Sequence, residues 1–249
     1  TKTVLSNNKS QSSKPLIVFC HGSGDTGPGV QSCIESLVPS SERQQWDWIF
    51  PSAEPIPYQL NGGMVSSIWY DRVGGFDPFY PEQTTTVEQS TNRLLALLDD
   101  QVQNRGRDPR RMILAGFSMG GAIAYQTAAR WHACPHAVPL GGIGGLSCYL
   151  NHDSKVWSLL EHTPVSWPPT FIAHGADDDF ILPEWGRTTF ERLVQAGVPA
   201  LFRLVPRTHH EMVAEELAEF LRLMKEYLVE GEREKAAAPS SNTTASREL

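Results

Sequence analysis

Short apolar runs alternate along the chain with longer stretches whose apolar residues return every three or four positions. The runs fall at 16–20, 48–50, 112–115, 137–140, 170–173 and 201–205. Most are bounded by Gly, Pro or charged residues, the punctuation that ends strands. The clearest helical stretch is 210–229, where Val213, Leu217, Phe220, Leu221, Met224 and Leu228 share one face. Weaker versions of the same period span 86–103, through Val87, Leu94, Leu98 and Val102, and 118–131 behind a glycine pair. Strands alternating with helices predict an α/β fold, a mostly parallel sheet with helices on both faces.

Two stretches break the alternation. Between 51 and 83 the chain is rich in Pro, Gly and aromatic residues and holds no sustained period, which predicts a long structured loop acting as a lid or binding wall. After Glu230 the charged, Ala/Ser/Thr-rich sequence has too little apolar surface to pack, so 230–249 is expected to be a disordered tail. The polar segment 1–14 is expected to be flexible. That leaves 15–229 as one domain.

Composition narrows the function. The 249 residues are 40% hydrophobic and 20% charged, which suits one globular domain with a substantial core. A formal net charge of -7, with no Lys/Arg cluster, argues against a nucleic-acid partner or a polybasic membrane patch. The longest apolar runs are strand-sized and far short of the roughly 20 residues that cross a bilayer, so no stable membrane insertion is expected. The four cysteines, Cys20, Cys33, Cys134 and Cys148, lack the spacing of a zinc site or disulfide framework and read as buried free thiols. Glycosylation triplets at Asn8 and Asn242 lie in polar ends, where such triplets arise by chance.

The reactive side chains gather after four of the runs. The run at 112–115 leads through Gly116-Phe117-Ser118-Met119-Gly120-Gly121 into a helical stretch. Strand, G-x-S-x-G turn and helix in that order make a nucleophile elbow, in which small neighbours let the backbone turn sharply and lift the Ser118 hydroxyl above the sheet. The first run ends in His21-Gly22-Ser23-Gly24-Asp25-Thr26-Gly27. A serine nucleophile creates an oxyanion that needs pre-aimed N–H donors; Met119 and Ser23 are the expected pair. The same loop also matches a dinucleotide-binding G-x-G-x-x-G. That fingerprint wants an acidic residue ending the second strand, whereas Asp47 precedes Trp48, and it leaves Ser118 unexplained.

The run at 170–173 enters His174-Gly175-Ala176-Asp177-Asp178-Asp179, where a carboxylate can orient an imidazole. Asp177 and Asp179 are taken as caps for a helix starting near Pro183, and His174 as a support for the turn. After 201–205 comes Arg207-Thr208-His209-His210-Glu211, which puts a histidine at the sheet's carboxyl edge as general base.

Together these motifs resemble the acyl-protein thioesterase and lysophospholipase-like carboxylesterase family, whose members carry H-G-x-G-D-x-G, G-F-S-x-G-G, H-G-x-x-D and a late histidine. The resemblance spans about 15–228 and includes Asn61-Gly62-Gly63 ahead of Trp69-Tyr70-Asp71, similar to the family's loop ending in tryptophan, aromatic, aspartate. It implies an α/β-hydrolase fold without a large cap domain, and a cytoplasmic serine hydrolase of acyl thioesters, such as S-palmitoyl cysteine, or of esters and lysophospholipids. By position it implies Ser118 as nucleophile, Asp178 as acid and His210, beside Glu211, as base. No metal or organic cofactor is implied. Met119 stands where thioesterases often carry Gln, and Ser23 where many carry Leu; both look more like the lysophospholipase-like branch.

Met64, Trp69, Phe76 and Leu182 are expected to form a shallow apolar acyl site. Two other functions fit the same residues: a general short-chain carboxylesterase, and a non-catalytic module that binds lipid or a partner with the fold retained.

Overall fold

The computed structural model describes residues 14–134, 137–162 and 167–237, with side chains described through 230. The first half runs β1 (Leu16–Cys20), α1 (Gly27–Leu37), α2 (Ser40–Arg43), β2 (Asp47–Ile49), β3 (Pro55–Tyr58), β4 (Met64–Ser67) and α3 (Thr84–Gln103). The second runs β5 (Met112–Phe117), α4 (Met119–Ala133), β6 (Gly142–Leu146), α5 (Lys155–His162), β7 (Thr170–Gly175), α6 (Pro183–Gln195), β8 (Ala200–Val205) and α7 (Ala214–Ala237). Six strands form one sheet in the order β2-β1-β5-β6-β7-β8, and every neighbouring pair is parallel.

The unbroken apolar runs of β1, β5 and β7 are explained by burial on both faces. Along β1, Leu16, Val18 and Cys20 enter a core shared with α3, α4 and α5, while Ile17 and Phe19 enter a second core shared with α1 and α7. A strand covered on both sides has no solvent face and hence no polar alternation. No cap domain covers the sheet edge among the described residues.

Several boundaries differ from the sequence expectations. Residues 137–140 are irregular, and the strand lies further on at Gly142–Leu146. Glycine is required there. A Cβ on Gly144 would sit 2.5 Å from the Phe220 ring of α7, and one on Gly145 would sit 2.2 Å from the Tyr125 hydroxyl of α4. The loop expected over 51–83 contains the antiparallel hairpin β3–β4. The final helix begins at Ala214, leaving His210 on the preceding loop, and runs through Ala237. Segments 1–13 and 238–249, with both glycosylation triplets, lie outside the described residues. Of the cysteines, Cys20 and Cys148 are buried, whereas Cys33 is half-buried and Cys134 exposed; all four are free thiols.

Candidate active site

Parallel strands deliver their C-terminal ends to one edge, and the motif residues leave from that edge. Ser118 follows β5, the His21–Ser23 loop follows β1, Asp178 lies just past β7 and His210 past β8. Ser118 has φ 53° and ψ −123°, a left-handed backbone unusual for a residue with a side chain. The surroundings enforce it. The Ser118 N–H donates to the Leu146 carbonyl at 2.8 Å, and α4 starts at the next residue. The turn is too tight for larger neighbours: a Cβ on Gly116 would lie 2.3 Å from the Gly120 backbone, and one on Gly120 would lie 2.2 Å from the Cys20 carbonyl oxygen.

His210 Nδ1 lies 2.7 Å from Asp178 Oδ2, and Nε2 lies 2.9 Å from Ser118 Oγ. A carboxylate only accepts, so Nδ1 carries the proton and Nε2 faces the hydroxyl as acceptor. Asp178 is buried, and its Oδ1 accepts the N–H groups of Phe180 at 3.1 Å and Ile181 at 2.9 Å. Burial pushes its pKa up, but hydrogen bonds from His174, His210 and Ile181 outweigh that and hold the carboxyl well below the usual carboxylate range. Asp177, Asp179 and His209 are exposed. The α6 cap position is Leu182, with no side-chain cap, so the capping role expected of Asp177 and Asp179 is not filled.

The expected oxyanion donors occupy two different elements. Met119 is buried at the first position of α4, at the partially positive end of the helix. Ser23 is exposed on the loop after β1. That loop is fixed on several sides: Trp69 Nε1–H donates to the His21 carbonyl at 2.8 Å, and Gly24 N–H donates to the Ser67 carbonyl at 2.8 Å. The His21 ring uses both nitrogens, Nδ1 lying 2.6 Å from the Gly22 carbonyl and Nε2 accepting the Ala53 N–H at 3.0 Å. Burial lowers its pKa, consistent with a neutral imidazole.

The four residues expected at the acyl site are differently placed. Met64, on β4, and Leu182, ahead of α6, are exposed by 60% and 39%. Trp69 is buried against the His21 ring, behind the loop that follows β1. Phe76 packs on Phe180 with ring centroids 4.7 Å apart, and Phe180 in turn lies 5.1 Å from the His210 ring, with Phe117 4.9 Å away from it. Phe117 and Phe180 were missed by sequence reading. The available signal for Phe180 was a large apolar residue next to an acidic turn.

Behind Phe76 sits a buried arginine. Arg72 donates through Nη1 to the Tyr149 hydroxyl and through Nη2 to the Tyr70 hydroxyl at 3.0 Å, and Tyr149 donates onward to the Phe76 carbonyl. Its guanidinium lies 5.5 Å from the Phe76 ring and 4.9 Å from the Tyr149 ring, within cation–π range. The clamp joins the connection after β4 to the one after β6.

The family model described as Phospholipase/Carboxylesterase matches residues 3–228. Lysophospholipase-like protein 1 of Mus musculus is 31% identical over 202 residues, covering 81% of this chain and 82% of that protein. Acyl-protein thioesterase 1 of Emericella nidulans is 30% identical over 189 residues, covering 73% and 77%. Among solved structures, the crystal structure of Arabidopsis thaliana SOBER1 superposes with a TM-score of 0.76 at 28% identity, covering 86% of this chain and 99% of that one.

Proposed function

The chain belongs to the phospholipase/carboxylesterase family, and from that membership we propose that it is a serine hydrolase cleaving acyl thioesters or esters through Ser118, His210 and Asp178. One observation carries the reading: an unbroken hydrogen-bonded path from the buried Asp178 carboxylate through His210 to the hydroxyl of a serine held on a strained strand-to-helix turn. Such a path has no packing purpose, and the strain of the turn is tolerated where it presents a nucleophile.

The chemistry follows from the proton positions. His210 Nε2 takes the Ser118 proton as Oγ attacks the acyl carbonyl, and the resulting oxyanion accepts hydrogen bonds from the Met119 and Ser23 N–H groups. Asp178 keeps the imidazole in the Nδ1–H tautomer and stabilises the imidazolium. His210 then protonates the departing thiol or alcohol, leaving an acyl ester on Ser118. A water molecule, deprotonated by His210, attacks that ester; the bond to Ser118 Oγ breaks, His210 returns the proton to that oxygen, and the acid product leaves.

The substrate is an acylated protein or a small ester or lysophospholipid. A general short-chain carboxylesterase is the second reading, favoured by the Phe76–Phe180 contact that walls the space beside His210. Cytoplasmic residence belongs to the same proposal, supported by four cysteines that are all free thiols. No helix among the described residues is long and apolar enough to cross a membrane.

Ser118→Ala is expected to cut turnover of p-nitrophenyl esters on the order of a thousandfold or more while the fold stays intact; near-normal hydrolysis would overturn the assignment. Fluorophosphonate labelling of Ser118 separates an enzyme from a binding module, which would stay unlabelled. Assays from acetate to palmitate esters, with a palmitoyl-thioester peptide alongside, separate the two enzymatic readings: turnover of short chains alone favours the carboxylesterase.

A further inference from the structure

We infer that His174 is a positioning residue that fixes Asp178 toward His210 by donating its Nε2–H into the turn that carries the carboxylate; the inference rests on the reading of Ser118, His210 and Asp178 given above. His174 lies on β7 and is fully buried. Its Nε2 is 2.8 Å from the Ile181 carbonyl oxygen and 3.4 Å from Asp178 Oδ2. Both neighbours are acceptors, so the proton sits on Nε2; the other tautomer would aim a lone pair at two oxygens.

The second ring nitrogen explains why this is more than core filling. His174 Nδ1 is buried with no hydrogen-bond partner. An orphaned buried nitrogen is destabilising, and an apolar side chain of similar size would avoid that cost. What imidazole adds over Leu or Met is the Nε2–H, and that donor addresses both halves of the Asp178 turn. Asp178 Oδ1 is held by the Phe180 and Ile181 N–H groups, Oδ2 faces His210 and His174, and the Ile181 carbonyl is anchored by His174 as well. Removing the imidazole leaves Oδ2 with His210 alone and frees the turn that aims it. α6 passes close over the ring at Gly186, where an added Cβ would lie 2.4 Å from Nδ1.

The test is steady-state hydrolysis of p-nitrophenyl acetate by His174→Leu, His174→Met and His174→Gln, with Ser118→Ala as control. His174→Leu and His174→Met lose kcat by about tenfold or more and keep KM within about twofold. His174→Gln, whose amide N–H reaches the Nε2 position, recovers most of the rate. The inference is overturned if the Met variant keeps the parent kcat, or if Gln loses as much as Met; the Met–Gln comparison stands even where the Leu variant does not fold. An active Ser118→Ala would bring down the reading of the site itself, whereas an inactive Ser118→Ala beside an unaltered His174→Met brings down only the role of His174.

Discussion

Single side chains set the working geometry by making contacts that neither neighbour could make alone. Arg72 is the extreme case. Its guanidinium is buried with no carboxylate partner among the described residues: Nη1 and Nη2 reach two phenols, one of which continues to the Phe76 carbonyl, the aromatic rings add cation–π contact, and Nε is left without a hydrogen-bond partner. Arg72→Leu leaves the Tyr70 and Tyr149 hydroxyls short of a donor in a buried setting, an effect of about 2–4 kcal/mol. Urea unfolding should show that loss as a lower midpoint with an unchanged slope. Kinetics should show KM for a short-chain ester rising more than kcat falls, because Phe76 loses its backing while His210 and Ser118 keep their bond. Parent-like stability in Arg72→Leu would refute the clamp. Nothing in the local sequence announced this role: an arginine three residues after Trp69 reads as a surface charge until the β6–α5 connection brings Tyr149 to it.

At the scale of elements, β6 shows how packing can override composition. It lies in the middle of the sheet, between β5 and β7, and is buried at every position, yet three of its five residues are glycine. Those glycines let α4 and α7 approach from opposite faces. Gly144→Ala drives a methyl group toward the Phe220 ring, which is itself buried, and is expected to destabilise by about 1–3 kcal/mol; Gly144→Val should cost more. Thermal or urea unfolding measures both, and an unchanged midpoint for Gly144→Val would mean that α7 yields at no cost. The same glycines hid the strand from sequence reading, since Gly signals a turn and the apolar run at 137–140 looked the better candidate. Strands β1, β5 and β7 were legible because both-face burial selects continuous apolar runs; β8, a partly exposed edge strand, was legible from an apolar run broken only by Arg203. The meeting of Ser118, Asp178 and His210 was legible for a related reason: each follows such a run, and parallel strands bring those ends to one edge. Phe180, His174 and Arg72 were not, because their partners come from other loops, and no periodicity encodes a contact between loops.

For the molecule as a whole, two buried titratable groups on opposite faces of the sheet pull stability in opposite directions with pH. Glu216, in the first turn of α7, accepts the Val213 N–H at 3.1 Å but leaves Oε2 buried without a partner, and burial raises its pKa from 4.5 to about 7. Below pH 4.5 it is protonated in both folded and unfolded chains. As pH rises toward 7 the unfolded chain ionises first, and about 3 kcal/mol of stability is lost. His132, on α4, is fully buried and engaged at both nitrogens, by the Ala128 carbonyl and the Leu140 N–H; burial lowers its pKa from 6.5 to about 4. Above 6.5 it is neutral in both states. As pH falls toward 4 the unfolded chain takes the proton first, and a loss of about 3 kcal/mol follows. Across the shared window the two slopes cancel, and Glu82 and His21, which burial shifts in the same two directions, repeat the opposition. The parent protein should therefore show nearly constant unfolding free energy from about pH 4.5 to about pH 7. Urea unfolding of single variants exposes the hidden terms: Glu216→Gln grows more stable with rising pH because only the histidine slope remains, and His132→Gln grows less stable. Parallel, flat profiles for parent and both variants would mean that neither group keeps its buried environment in solution.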